Sequence, residues 1–445
     1  MSLGACAAAV GDHRPSLCGP LSCSSSALKS GHGHTSCRFA FSYILNRRSD
    51  TCKLDSVERG TVKTTGNETC LQTWRIAHLN AREVAHPLRL WWSEAMSPRT
   101  RLSKFCTKFG LQVPIIMGPM AGSSPPALAA EVANAGGMGG CGALLMDGPG
   151  IANWTALFRQ RSSGAFQINT WIPDPKPTLH PADLDRVAAL LAAQRVQMGA
   201  VAQSGLPDFN AQCDAIIAAS PTAASSIMGL YPPDVVTRMQ AVGIKWFAAV
   251  TSVSEARAAF EAGADALVVS GVEAGGHRGA FDPNLANRQG GTLFALIPII
   301  ADAVPVPIVA AGSIADGRGV AAALILGASA VQIGTALLRT PEAETPALWA
   351  DALARTMPED TVMTRAYSGR LARAVRNAWI DTVGDAALPY PAQRQAVAPL
   401  RGRALATNDA GIMQMWAGQA ASLARTEPAS HVVARLWAEA DALLS

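Results

Sequence analysis

Ala262-Gly263-Ala264-Asp265-Ala266-Leu267 and Leu326-Gly327-Ala328-Ser329-Ala330-Val331 repeat one cadence. Each reads as a helix end, a glycine that lets the chain leave the helix, and the start of a buried parallel strand. On either side of these two stretches, short apolar runs recur at 114–120, 138–145, 165–171, 225–230, 244–250, 266–271, 307–312 and 330–337. Helical patterns follow at 125–135, 150–160, 233–241, 253–262, 292–303, 316–326 and 346–355, with a longer helix-rich connection over 183–220. Eight strand–helix units over roughly 250 residues predict an α/β fold of the (β/α)8 TIM-barrel type. A doubly wound open sheet is the competing arrangement, and eight uninterrupted units favour closure. The uncharged stretch 319–338 contains Gly327, Ser329, Gln332 and Gly334, and so reads as core helix and strand, not a membrane span.

The 445 residues are 49% hydrophobic and 16% charged, but the composition is uneven. Residues 1–95 carry six of the nine cysteines, 11 of the 37 basic residues and 7 of the 33 acidic ones. The whole excess of +4 therefore lies in this leader and the body is neutral, which gives no electrostatic case for nucleic acid or an acidic membrane. The leader shows no sustained period and no secretory h-region, so it is expected to be disordered, with Met96 the natural start. Its cysteine spacing matches no paired C-x-x-C arrangement, and no metal site is expected. Cys106, Cys141 and Cys213 are widely spaced, as in a reduced cytoplasmic protein. The expected organisation is a leader at 1–95, a barrel at 96–359 and a small α-helical cap at 360–445.

In such a barrel the residues just after each strand build the site. Gly271-Val272-Glu273-Ala274-Gly275-Gly276-His277-Arg278-Gly279 follows the sixth strand, and His277 is one of three histidines in the body. Imidazole is the side chain best placed to exchange a proton near neutral pH, although a tight turn with a surface histidine fits the spacing too. Arg278 is either a neighbouring positive charge that keeps the imidazole neutral or a structural arginine. Glu273 reads as an anchor of the loop. Small-residue loops at 310–319 and 332–335 follow the seventh and eighth strands, where barrels commonly cradle a phosphate. Gln167 and Asn169 share one face of the third strand and suit the edge of a heterocycle.

Pro114-Ile115-Ile116-Met117-Gly118-Pro119-Met120, Asn134-Ala135-Gly136-Gly137, Glu273–Gly279, 311–319, 332–335 and Trp416-Ala417-Gly418-Gln419 together resemble the nitronate monooxygenase family. The resemblance runs from about Phe109 to the C-terminus and implies an FMN-dependent barrel enzyme. It places FMN phosphate at Gly312, Ser313, Gly334 and Thr335. It places the flavin ring against Pro119, Met120, Asn169, Ser270, Gly275, Gly276 and Gln332, and it makes His277 the catalytic base. The implied activity is oxidation of alkyl nitronates by O2 to a carbonyl compound and nitrite. An NAD(P)H-dependent FMN reductase of quinone or enoyl-thioester type is the alternative on the same barrel.

Two departures stand out. One subclass carries a second histidine in the fourth strand, where this chain has Ile227. That subclass also has a Tyr/Tyr/Lys set near the C-terminus; here Tyr390 remains, assigned to the substrate, while the next two positions are Arg394 and Ala398. The expected partners are a small-molecule substrate and O2, with no nucleic acid or membrane. Helices are expected at 391–406 and 412–423, the second placing Trp416 and Gln419 on one face.

Overall fold

The computed structural model describes residues 53–58, 61–65, 97–202 and 206–445. The chain forms two compact units, Met1–Leu79 and Asn80–Ser445. In the first, Lys53–Glu58 pairs antiparallel with Thr61–Thr65, a hairpin not anticipated in the leader. Its Thr and Val residues favour extended backbone. The disorder expected of 1–95 otherwise falls outside the described residues.

In the second unit, eight parallel strands form the barrel: β1 Ile115–Met117, β2 Gly139–Gly142, β3 Phe166–Trp171, β4 Ala223–Ile227, β5 Lys245–Val250, β6 Ala266–Ser270, β7 Ile308–Ala311 and β8 Ala330–Ile333. Sequential strands β2 to β6 pair in order, β6 pairs β7, β7 pairs β8, and β8 pairs β1. Closure between β1 and β2 is made by the Met117 N–H to the Met138 carbonyl at 2.8 Å and the Met138 N–H to the Ile115 carbonyl at 3.0 Å. Closure needs glycine in β2. A Cβ on Gly140 would sit 2.5 Å from the Met117 carbonyl oxygen, and one on Gly142 2.4 Å from the Ala121 nitrogen. The expected barrel is the observed one.

Alternation along each strand sorts the side chains. In β6, Ala266 and Val268 point into the barrel, while Leu267 and Val269 pack outward against the helical ring. The interior is closed below by the helix Pro98–Phe109, which the sequence pattern did not reveal. Its Phe105 and Phe109 rings lie 6.3 and 4.9 Å from Phe247 of β5. Ser97 caps its start and Gly110, at φ +70°, ends it.

One expectation about the helical ring is corrected. The helix Ala347–Arg355 follows β8 as expected, but its Trp349 and Leu353 join the hydrophobic cluster of the C-terminal segment. The ring position beside β8 is taken by the last helix, Ala429–Leu443. It packs on Gly317–Leu326 and Pro126–Asn134 through Val432, Val433, Leu436 and Ala440. Gly317 permits that approach, since a Cβ there would lie 2.2 Å from the Glu439 Cβ. The segment 360–445 also contains β-structure: Thr361–Thr364 and Ala372–Val375 form an antiparallel sheet that takes in Gly276–His277. The helix expected over 391–406 is present in two pieces, Ala392–Ala396 and Ala398–Thr407. Residues 412–420 are not helical, and Trp416 bridges Ala374 in extended backbone, so Trp416 and Gln419 share no helical face. No helix among the described residues is long and apolar enough to cross a membrane.

The buried Leu436 side chain anchors this closing helix to the ring. Leu436→Ala is expected to lower the unfolding free energy by about 2–5 kcal/mol. Leu443→Ala, at an exposed site of the same helix, should change it by no more than about 0.5 kcal/mol. Chemical denaturation checks both; equal effects would remove the helix from the core.

Candidate functional site

A cavity opens at the C-terminal ends of the strands. Its lining includes Gly118–Ala121, Asn169, Trp171, Ser225, Ser270, 274–277, 311–315, Gln332, Gly334, Thr335, Arg394, Gln414, Trp416 and Gly418. His277 and the eleven residues expected to hold the cofactor all line it: Pro119, Met120, Asn169, Ser270, Gly275, Gly276, Gly312, Ser313, Gln332, Gly334 and Thr335. Tyr390 does not. It sits behind Trp171, with ring centroids 5.3 Å apart, and borders a neighbouring cavity. Its hydroxyl is buried without a hydrogen-bond partner, and burial pushes its pKa up, so it stays protonated.

The histidine loop is held by several contacts. Ala372 pairs with His277 and Arg373 with Gly276, and the Arg278 N–H donates to the Leu371 carbonyl at 2.8 Å. Glu273 anchors the loop through Oε1, which accepts the Leu293 N–H at 2.8 Å. The Glu273 carbonyl accepts from the Ser313 hydroxyl at 2.7 Å and from the Gln419 N–H at 3.1 Å. Gly275 must be glycine, because a Cβ there would lie 2.4 Å from the Gly418 nitrogen. Arg278 turns away from the imidazole. Its guanidinium donates to the carbonyls of Ser270, Thr251 and Gln289, so it is the structural arginine of the two alternatives.

His277 lies between two indoles, with ring centroids 4.6 Å from Trp171 and 5.0 Å from Trp416. Its Nε2 is 2.8 Å from Ser368 Oγ. With the Ser368 hydroxyl turned to the Arg370 carbonyl at 3.1 Å, the matching tautomer has Nε2–H donating to Ser368 and a lone pair on Nδ1. Burial, then the positive charges of Arg394 and Arg370, push the His277 pKa down from 6.5 to about 3. The imidazole is therefore neutral at physiological pH.

The other walls fit a flavin nucleotide. The Asn169 amide donates to the carbonyl and hydroxyl of Ser225, both at 3.1 Å, which leaves Asn169 Oδ1 as an acceptor toward the cavity. Gln332 Oε1 accepts from Gln167 Nε2 at 3.1 Å, which leaves Gln332 Nε2 as a donor. One free acceptor and one free donor suit the imide edge of an isoalloxazine. Gln167 itself is buried and positions Gln332 rather than facing the cavity. At the ends of β7 and β8, the backbone N–H groups of Gly312, Ser313, Gly334 and Thr335 donate to no described residue. Ser313 holds φ +49°, a rare conformation for a side-chain-bearing residue, directly after Gly312 at φ +149°. These free N–H groups suit a phosphate.

A profile of the nitronate monooxygenase family matches residues 102–439. The chain belongs to the nitronate monooxygenase family. A probable nitronate monooxygenase of Staphylococcus aureus (strain Newman) is 34% identical over 334 residues, covering 73% of this chain and 94% of that protein. Nitroalkane oxidase from Streptomyces ansochromogenes superposes with a TM-score of 0.69 at 33% identity, over 75% of this chain and 97% of that one. FabK from Thermotoga maritima superposes with a TM-score of 0.62 at 26% identity, over 77% and 96%. As a member of this family, the protein is an oxidoreductase enzyme.

Trp171 was not singled out in the sequence, yet it follows Gln167 and Asn169 at the strand period of two and could have been found there. Ser368 lies 91 residues from its histidine partner, and no local pattern announces that contact.

Because the folded-state pKa of His277 lies below 6.5, its contribution to stability is fully present above that pH and is lost as pH falls toward 3. NMR of the imidazole should show no titration between about pH 5 and 9. Stability should fall less between about pH 6.5 and 4 in His277→Asn than in the parent. An imidazole titrating near its ordinary value would contradict this electrostatic picture.

Proposed function

We propose that this member of the family is an FMN-dependent oxidase of alkyl nitronates and nitroalkanes, using O2 and releasing a carbonyl compound and nitrite. The observation that carries the reading is a neutral His277, with Nδ1 unengaged, in the same cavity as the free Asn169, Gln332 and phosphate-facing backbone groups. Bound FMN would supply the electron transfer from substrate to O2. The phosphate would be held by the N–H groups of 312–313 and 334–335, and the ring edge by Asn169 and Gln332. Likeness to the nitroalkane oxidase of Streptomyces ansochromogenes supports a substrate of this class.

Within that frame His277 has one task, to take the proton from the carbon bearing the nitro group. Nδ1 is the accepting nitrogen, and Ser368 keeps the ring in the matching tautomer. Trp171 and Trp416 hold the ring edge-on and keep bulk water from its faces. An imidazole held at so low a pKa is a weak base. Deprotonation therefore needs positive charge near the forming nitronate. A nitronate supplied already deprotonated bypasses this step.

The test is anaerobic mixing of the purified yellow protein. A nitronate should bleach the flavin, and NADH or NADPH should not. Bleaching by the nicotinamide alone would establish the reductase reading instead. His277→Asn should lower turnover of neutral nitroalkane by about 10²–10⁴-fold and spare that of preformed nitronate. Equal loss on both substrates would remove His277 from the role of base.

A further inference from the structure

Four arginines surround the histidine loop, and three of them are held by hydrogen bonds to described residues. Arg370 is buried and donates through Nε to Asp174 at 2.8 Å, through Nη2 to the same carboxylate, and through Nη1 to the Ala280 carbonyl at 2.9 Å. Arg373 donates to the Val272 carbonyl and to Thr361. Arg278 is held by the three carbonyls already described. Arg394 differs. Its guanidinium makes no hydrogen bond and no ion pair with any described residue, although it is half-buried and lines the cavity with His277.

The position of Arg394 is built. It lies on the short helix Ala392–Ala396, whose Gln393 is fully buried and clamped at both ends of its amide. Gln393 Nε2 donates to the Ala366 carbonyl at 2.8 Å, and its Oε1 accepts the Leu388 N–H at 2.9 Å. Ala392 and Ala396 are buried on either side. Among the described residues no Asp or Glu lines the cavity, and Arg394 is the only Lys or Arg that does. Burial already lowers its pKa, as expected of a cation without a counter-charge. An unpaired guanidinium facing a cavity of this kind calls for an anion from outside the protein.

We propose that Arg394 is the anion receptor of the cavity, its guanidinium taking both oxygens of a planar organic anion. Nitronate and carboxylate groups share that two-oxygen geometry, and each can accept a bidentate pair of N–H bonds. The inference rests on the proposed nitronate chemistry and narrows its substrate class: Arg394 holds either the nitronate itself, supplied as such or formed when His277 takes the proton, or a carboxylate that the substrate also carries. The bound anion also offsets the charge of Arg394 that bears on the imidazole, so His277 becomes more basic when the site is filled.

The experiment uses the purified protein with its cofactor and two variants, Arg394→Gln and Arg394→Lys, each checked for an unchanged thermal midpoint. Calorimetry with propionate, an inert carboxylate, is compared with neutral propionamide; this readout needs no turnover and survives failure of the nitronate reading. Propionate should bind and propionamide should not. Arg394→Gln should weaken propionate by at least about tenfold, and Arg394→Lys should recover part of the loss. Propionate should raise the NMR-measured pKa of His277 in the parent protein and not in Arg394→Gln. In turnover, the Gln variant should raise KM more than it lowers kcat. A raised KM for ethyl nitronate assigns Arg394 to the nitronate group; an effect confined to a carboxylated nitronate assigns it to the carboxylate. Unchanged propionate affinity in Arg394→Gln would overturn the proposal, as would a variant that loses only FMN affinity.

Discussion

The site depends on two residue pairs of backbone: Ala372 against His277 and Arg373 against Gly276. A glycine-rich loop leaving a barrel strand has no reason to hold a histidine still. Pairing with Ala372–Val375 turns two of its residues into strand and fixes the imidazole where Ser368, Trp171 and Trp416 meet it. The C-terminal segment thus completes the cavity around His277. It supplies the pairing strand, the hydroxyl bonded to the imidazole, one indole and, among the described residues, the one cation that lines the cavity.

Charge placement around the imidazole follows from how each arginine is used. Arg278, adjacent in sequence, is held by carbonyls and faces away. Arg370 sits in a buried pair with Asp174, whose carboxylate balances much of its field. Arg394 is unbalanced, and after burial its charge, ahead of that of Arg370, is what pushes the His277 pKa down. The same charge that weakens the free imidazole as a base would stabilise the anion formed when that base acts. An anion on Arg394 would therefore couple free-site and filled-site basicity through one guanidinium.

Much of the barrel was legible because buried parallel strands and glycine-ended helices leave strong local marks. The strand ends were less so, for a reason tied to function. The apolar runs at 114–120, 138–145 and 330–337 continue past the sheet, whose strands stop at Met117, Gly142 and Ile333. The overrun residues include Gly118, Pro119, Met120, Leu144, Gly334 and Thr335, and these leave the strand direction to line the cavity. Long-range features were the ones missed. The closing helix Ala429–Leu443 completes a ring begun 300 residues earlier at Pro126–Asn134, to order of magnitude the length of a whole barrel. Trp416 is extended because it bridges Ala374, not because of anything in its own neighbours. Tyr390 matched a family position, yet its side chain packs behind Trp171 and not in the cavity.

In the proposed holoenzyme one cavity brings a neutral His277 to the open face of a flavin held by the ends of β3, β7 and β8. A crystal structure of the protein with FMN tests this arrangement most directly. Phosphate density is expected against the backbone of 312–313 and 334–335, the ring edge between Asn169 and Gln332, and His277 still bound to Ser368 beside the ring. FMN bound elsewhere, or His277 turned from the ring with its Ser368 contact broken, would contradict it.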